Sequence, residues 1–451
     1  MTRLREHRAV ALPCLAAAAI LAATTTARAN GRFPDAQQLV VEPGNEQHLA
    51  VETTYGFIET RDHGGTWTWT CEAAAGYGGV LDPPIAMHAG GTLIAGVFNG
   101  LVVESPDGCT LGFAGGALDG KFFVDVSVDK TTPTHGIAAS SDGLGQNKFD
   151  TFVWKTDDSA ATWSQLGVQL PADFLALTLD SAPSDPDRIY MTGFKIVTTD
   201  DYRGVVVRSA DGGQTWETIE IDGSANDSGP YLAAVDPTDP DTLYIRLAGM
   251  GGKLLVSHDG GDTTTPVFTA TGAITSFALT PDGSTIRLGG VDDGILGAST
   301  TDFAFTQVNT IGARCLTFTD DALYVCGREA LDGFTIAESH DMGVTFEPIH
   351  HIQCLLGPDP ACGADTTIAT ECPGPWAAQR QILQTDTCPD PQTGAGGAGG
   401  AGGAGGAGGG TVDDGCSCRA AAPSTDASGV AWLGALGVAV VVAGRRRRRR
   451  A

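Results

Sequence analysis

From Asn30 to about Cys354, short apolar stretches alternate with clusters of Gly, Asp, Ser, Thr and Pro. Within the stretches, apolar and polar positions follow a period of two. That pattern predicts short β-strands joined by tight turns. The strands group in fours. A first group reads Gln38–Val41, His48–Glu52, Gly56–Thr60 and Thr66–Thr70. A later one reads Leu175–Leu179, Arg188–Thr192, Gly204–Ser209 and Thr215–Ile221, and the next Tyr231–Val235, Thr242–Arg246, Lys253–Ser257 and Pro266–Ala270. The first turn of a group also repeats, as Ser184-Asp-Pro-Asp-Arg188 and Thr238-Asp-Pro-Asp-Thr242.

The last turn of each group carries a motif. Ser209-Ala-Asp-Gly-Gly-Gln-Thr-Trp216 fits Ser/Thr-x-Asp-x-Gly-x-Thr-Trp, and Thr60 to Trp67 matches at every fixed position. Ser257 to Thr264 lacks the Trp, Ser339 to Phe346 has Phe there, and Thr156 to Trp163 lacks the Gly. Ser105 to Leu111 and Thr300 to Phe305 are weaker echoes. The aspartates are Asp62, Asp107, Asp158, Asp211, Asp259, Asp302 and Asp341, spaced 45, 51, 53, 48, 43 and 39 residues apart. A period of this size signals a repeat architecture. The Asp carboxylate accepts from N–H groups of its own turn. Gly supplies a positive φ, Thr opens the next strand, and the aromatic ring packs on a neighbouring unit.

These residues resemble the Asp-box, or BNR repeat, of sialidases, sortilin-type receptors and related β-propellers. The resemblance implies that the seven aspartates are structural and lie away from the ligand face. It also implies that Trp67, Trp163, Trp216 and Phe346 wedge between units. The Asp-Pro turn phrasing is similar to that of sortilin-type and photosystem-assembly propellers, and of xyloglucan-cleaving glycosidases. Residues 30–354 divide into about 46 per motif, the size of one four-stranded blade. The expectation is an all-β, seven-bladed propeller, with six blades as the alternative because the second and sixth motifs are weak.

Both ends read as addresses. Arg3, Arg5 and Arg8 precede an apolar run from Ala9, and Ala27-Arg28-Ala29 offers a cleavage site, so residues 1–29 read as a signal peptide. Residues 355–390 form a Cys-rich tail, with Gln379–Leu383 as one short helix. Residues 391–415 are a Gly/Ala-rich linker. Residues 416–451 hold Cys416-Ser-Cys418, an apolar helix long enough at its limit to span a membrane, and the basic block Arg445–Arg450. This order resembles the MYXO-CTERM sorting signal of myxobacterial surface proteins. The resemblance implies processing by a myxosortase-type membrane protease at Cys416 and Cys418. It implies a transient inner-membrane anchor and final display at the cell surface or outside the cell.

Residues 30–418 carry 51 acidic against 16 basic residues, a net charge of −35. Such a surface repels nucleic acid and anionic lipid. Eleven cysteines in an exported chain point to disulfides. A hairpin from Leu316 to Val325 sets Cys315 opposite Cys326. Cys71 and Cys109 lie near the outer strands of the first two blades and are expected to pair. Cys354, Cys362, Cys372 and Cys388 leave three connectivities open. With no C-x2-C pair in the tail, no metal site is assigned.

Chemistry is sparse. There is no G-x-S-x-G and no H-E-x-x-H. Asp222–Gly229 has the density of a Ca²⁺ loop without its Gly and Glu, so Ca²⁺ is the one cofactor left open. A sialidase would need three arginines, a Tyr/Glu nucleophile pair and an Asp acid. Only Arg32-Phe-Pro34 echoes its Arg-Ile-Pro motif, so no catalytic residue is assigned. Arg246, Arg287, Arg314 and Arg328 are expected to converge opposite the Asp-box face as an anion site, since guanidinium suits carboxylate or phosphate. The reading is a non-catalytic binding or scaffold propeller for a surface glycan, an acidic ligand or a protein. The alternatives are an exo-glycosidase and an assembly factor.

Overall fold

The computed structural model describes residues 33–388, apart from 79, 80, 226 and 227. The signal segment, Arg32, the linker, Cys416, Cys418 and the C-terminal apolar run lie outside the described residues. Seven four-stranded antiparallel sheets follow one another, each made of consecutive strands. They span 36–70, 85–113, 123–166, 174–225, 230–269, 274–309 and 315–350. The chain is a seven-bladed β-propeller. The second and sixth blades form despite their weak motifs, because apolar alternation builds a blade and the motif only caps its last turn.

Strands are named A to D from the inside outward. Because A to D alternate in direction, the A–B and C–D turns share one face and the B–C and D–A connections share the other. The innermost strands are latched to their neighbours by polar side chains. Gln38 exchanges two hydrogen bonds with the backbone of Ile85. Asp125 accepts from the N–H of Leu179 at 2.7 Å, and Thr178 and Thr192 accept from the N–H of Leu232. Thr275 donates to the carbonyl of Ala313. Strand A slips by one residue between Ala176 and Thr178. Such a bulge re-aims a side chain, and here it accompanies the Thr178 contact to the next blade.

Between blades, the apolar faces pack in clusters such as Ile94, Leu101, Phe123 and Trp154. Each boxed aromatic leans on the preceding blade. Trp67 donates from Nε1 to the carbonyl of Ile349 in blade seven, and Trp163 packs against the cluster of Ile94 and Leu101. Trp216 packs beside Leu166 and Val153, and Phe346 beside Val308. Trp67 is fully buried, whereas Trp163 and Trp216 keep part of their surface in water. Trp67→Ala is expected to cost about 3–5 kcal/mol and Trp216→Ala less, about 2 kcal/mol. Denaturant midpoints of the two variants check this order.

Blades one and two meet over a buried ionic group. His48 bridges Glu42 at 3.0 Å and Glu59 at 3.1 Å, and Arg61 reaches Glu59 at 3.1 Å. Glu104 is buried beside them with no N–H or hydroxyl donor on its oxygens. Burial, and then the charge of Glu59, raise its pKa well above the carboxylate range. The carboxyl therefore keeps a proton, shared with Glu59. Glu104→Gln preserves that donor and is expected to be nearly neutral at pH 7. Glu59→Gln leaves His48 and Arg61 short of their counter-charge and is expected to cost about 3 kcal/mol. Equal losses in the two variants would contradict the shared proton.

Among the described residues, no strand is exchanged at the seam of blades seven and one. The seam is held by Thr317 to Leu39, Arg314 to Asp35 and His63 to Glu338. The chain then continues past His350 and straps blades one and two from outside. Leu356 donates to Trp67 and Trp69 donates to Gly357, so the tail pairs with the free edge of strand D (Thr68–Thr70). Leu111 donates to Thr367, and Ile368 donates to Cys109, covering the edge of Leu111–Phe113. Covering exposed strand edges removes pairing templates. Trp376 packs on Trp69 at a tilt, with centroids 5.3 Å apart.

The disulfides correct the sequence reading. Cys315–Cys326 forms across its hairpin as expected. Cys71 and Cys109 do not pair with each other: Cys71 bonds Cys372, and Cys109 bonds Cys362. Cys71 follows strand D of blade one, at the B–C face, while Cys109 sits in the C–D turn of blade two, at the other. A strand length separates them, and the strap spans it. Only Cys354–Cys388 lies within the tail. The tail is also more helical than expected, with helices at Thr367–Glu371 and Pro373–Leu383.

Candidate binding face

The Asp turns are spent on themselves. In blade four, Ser209 donates to Asp211 Oδ1, which also accepts from the Thr215 N–H, while Asp211 Oδ2 accepts the Thr215 hydroxyl at 2.7 Å. The Ser209 hydroxyl in turn accepts from Gly213 N–H. Asp62, Asp158, Asp259 and Asp341 repeat this pattern. The Thr345 hydroxyl and N–H, with Ser339, hold Asp341 down at about 2. Asp107 accepts from Ser105 and the Cys109 N–H, and Asp302 from the Ala304 N–H, so the weak motifs make partial turns. A carboxylate already saturated with donors is a poor base or nucleophile.

Two grooves open on this face. One, of about 360 Å³, lies between blades six and seven beside Asp282, Asp320 and His340. The other, of about 270 Å³, lies between blades three and four beside Asp129 and Lys155. They occupy equivalent blade boundaries, as the wedge between diverging sheets dictates.

The four arginines do not form one free anion site. Arg314 is paired with Asp35 at 2.9 Å, and Arg328 with Asp332 at 2.8 Å. Arg246 donates to the carbonyl of Ile274 and lies 4.8 Å over the Tyr231 ring. Arg287 is third in its strand rather than late, and it donates to Met342 in the C–D turn of blade seven. It therefore points to the Asp-turn face, opposite the expectation. Every guanidinium of the set is committed to a protein partner.

Near Arg314 lies the constellation closest to glycosidase chemistry. The charges of Asp35, Glu329 and Glu52 act on the buried hydroxyl of Tyr55. Burial raises that hydroxyl far above its ordinary pKa, and the three carboxylates raise it further. Burial also raises Asp35, against the pull of Arg314 and then Arg328. A tyrosine nucleophile works as phenolate; this one is held protonated and out of reach of solvent. Glu329 is further engaged by Thr335, His351 and the N–H of Ile352.

What the B–C face does present is apolar. The B–C connection of blade two exposes Phe98, stacked on Phe122. At the same face, the ends of strand B in blades three and four expose Leu144, at 62%, and Val197. Blade five exposes Met250, at 79%, and blade seven Leu331, at 74%. The fold does not ask for these residues. Met250 sits between Gly249 and Gly251, both at positive φ, and the turn would form with any polar side chain. On the opposite face, large exposed apolar residues in the blade turns are confined to Met342 and Val344 of blade seven, among the described residues. Sequence reading missed the crown because it searched for charge. The available signal was a large apolar residue between glycines in a B–C turn.

No protein-family model matches the chain, and no curated protein matches it. Among solved structures it is similar to Saccharomyces cerevisiae Sqt1, at 12% identity and a TM-score of 0.44, over 70% of this chain and 85% of that one. It is also similar to an ancestral GH74 enzyme, at 14% identity and a TM-score of 0.36, over 68% of this chain and 36% of that one. This chain thus spans about a third of the GH74 enzyme. The propeller is defined by its own seven sheets, not by these distant likenesses.

Proposed function

We propose that this chain is an exported propeller, displayed at the cell surface, that binds a partner without transforming it. The observation that carries the reading is the apolar crown: five blades each expose a large apolar side chain on one face. Large apolar side chains gathered on one face of a fold that does not need them there point to an interaction site. The protonated Tyr55 and the committed arginines speak against the exo-glycosidase alternative. Export rests on the signal-like residues 1–29, and display on the tail resembling a MYXO-CTERM signal.

Two measurements test the proposal. Purified mature protein should bind a component of a glycan array or a panel of surface proteins, and should release no product from fluorogenic glycosides. Turnover abolished by Tyr55→Phe would overturn the non-catalytic reading. Intact-mass analysis of the native protein should show Arg445–Arg450 removed; their retention would sink myxosortase-type processing.

A further inference from the structure

We infer that the groove between blades six and seven, on the Asp-turn face, is a site for a linear aliphatic polyamine. It lies on the face opposite the crown and is independent of the binding reading above. The groove opens between the A–B turns of the two blades, beside the C–D turn of blade seven. Its volume of about 360 Å³ lies in the range of small-molecule sites. Phe318, Ala322 and Leu323 give it an apolar lining, and the exposed Pro281 and Met342 flank it. Asp282, Asp320 and Asp321 line it with exposed carboxylates. Asp282 accepts from Thr280 and Ser284. No donor or cation among the described residues bonds the Asp320 and Asp321 carboxylates; His340 takes only the Asp321 main-chain carbonyl.

The charge of this sector is one-sided. Between residues 272 and 349 the fixed cations are Arg287, Arg314 and Arg328. Arg314 and Arg328 lie toward the other face, paired with Asp35 and Asp332. Arg287 is buried and donates to the carbonyls of Met342 and Ile286. Against that one guanidinium stand Asp282, Asp302, Asp320, Asp321, Glu338, Asp341 and Glu347 on this face, with His63 and His340 both turned to Glu338. The field is negative and favours a cation.

The equivalent groove between blades three and four shows how the fold meets the same demand. There the chain's own Lys155 lines the groove with Asp129 and Asp187, its ammonium 3.0 Å from Asp157. No lysine lines the groove of blades six and seven, so there the ammonium comes from a ligand. Its methylenes cover Phe318 and Pro281 while its charged ends stay at the carboxylates, as a lysine stem does on apolar surface. Among the described residues no three His, Cys, Asp or Glu side chains come together as metal ligands, which favours an organic cation. Large exposed apolar residues in the blade turns of this face are confined to Met342 and Val344, too few for the core of a protein interface.

The test titrates the purified mature protein with cadaverine and spermidine by calorimetry. Both should saturate one site, spermidine the more tightly. Mg²⁺ has the charge of cadaverine without its methylenes and should bind at least tenfold more weakly. Asp320→Asn combined with Asp321→Asn should weaken both amines at least tenfold and leave the melting temperature unchanged, since these carboxylates support no other group. Asp365→Asn with Glu371→Gln makes the same change of charge on the exposed tail and should leave both affinities within about twofold. Unchanged binding by the groove variant, or Mg²⁺ competing as well as cadaverine, overturns the inference. So does a dilysine peptide that binds more tightly than cadaverine, because the occupant is then a protein. Absence of saturable amine binding also overturns it, and leaves the reading of the crown standing.

Discussion

Cys71→Ala with Cys372→Ala is expected to lower the stability of the propeller by about 4 kcal/mol. The bridge joins positions 301 residues apart, but Cys109–Cys362 stays closed in this variant. The loop that opens is then set by the short segments between the two bridges, and the chain-entropy model assigns about 4 kcal/mol to a loop of that size. Removing both bridges would open the whole ring and cost more. Both bridges tie blades one and two to the chain leaving blade seven, so both act across the seam. Alanine is the apt replacement because Cys71 and Cys372 are buried and a serine hydroxyl would lack a partner. Calorimetry in oxidising buffer should show the double variant melting well below the parent, and added reductant, which opens all four bridges, should bring both proteins down to a common lower value. A loss under 1 kcal/mol would mean that the polar seam and Cys109–Cys362 hold the ring without this bridge.

The second large effect is an acid one. His350 is fully buried, neither ring nitrogen has a hydrogen-bond partner, and the ring packs 4.9 Å from Trp67. Burial, helped by His351, pushes its pKa down from 6.5 to about 3. In the unfolded chain the ring takes a proton as pH falls below 6.5; in the folded chain it does not until about 3. Stability is therefore complete above 6.5 and drains away as pH falls between those values. The slope is about 1.4 kcal/mol per pH unit, for a total of about 4–5 kcal/mol. His350→Phe keeps the ring and removes the titration. Its stability should match or exceed the parent's at pH 7 and fall less toward pH 4. Asp125 works the other way. Burial in the inner belt pushes it up to about 7, so its contribution is lost as pH rises through 7. The difference between parent and variant isolates the histidine. Parallel curves for the two proteins would show that His350 is not the group responsible.

The fold was legible because its signals are local. The Asp62, Asp211 and Asp259 turns close through residues within four positions, so a short motif contains all their partners. The Cys315–Cys326 bridge was legible for the same reason, since hairpin register fixes it. The Cys71 and Cys109 pairings were not, because their partners lie 301 and 253 residues away. No periodicity says which way a tail turns after its last strand. The arginines misled because charge type was visible and direction was not. Arg287 lies one side-chain reach from the C–D turn of blade seven, a fact set by ring closure. The crown was missed for the opposite reason: Met250 and Leu331 are plain in the sequence, but only the shared face gives them meaning.

The placement of Cys354–Cys388 bears on how the molecule carries load. The described chain leaves at Cys388, and that residue is bonded to Cys354, four positions past the last strand. A pull on the chain beyond Cys388 therefore enters a covalent bypass. The tension passes through sulfur to the foot of blade seven, and the helix Pro373–Leu383 and the edge pairings of Leu356 and Thr367 lie inside the closed loop, shielded from it. The other two bridges start inside the same loop and fix it to blades one and two, so the load falls at the foot of blade seven and the outer strands of blades one and two are not peeled. Oxidised, the fold meets such a pull at sulfur before it reaches a strand.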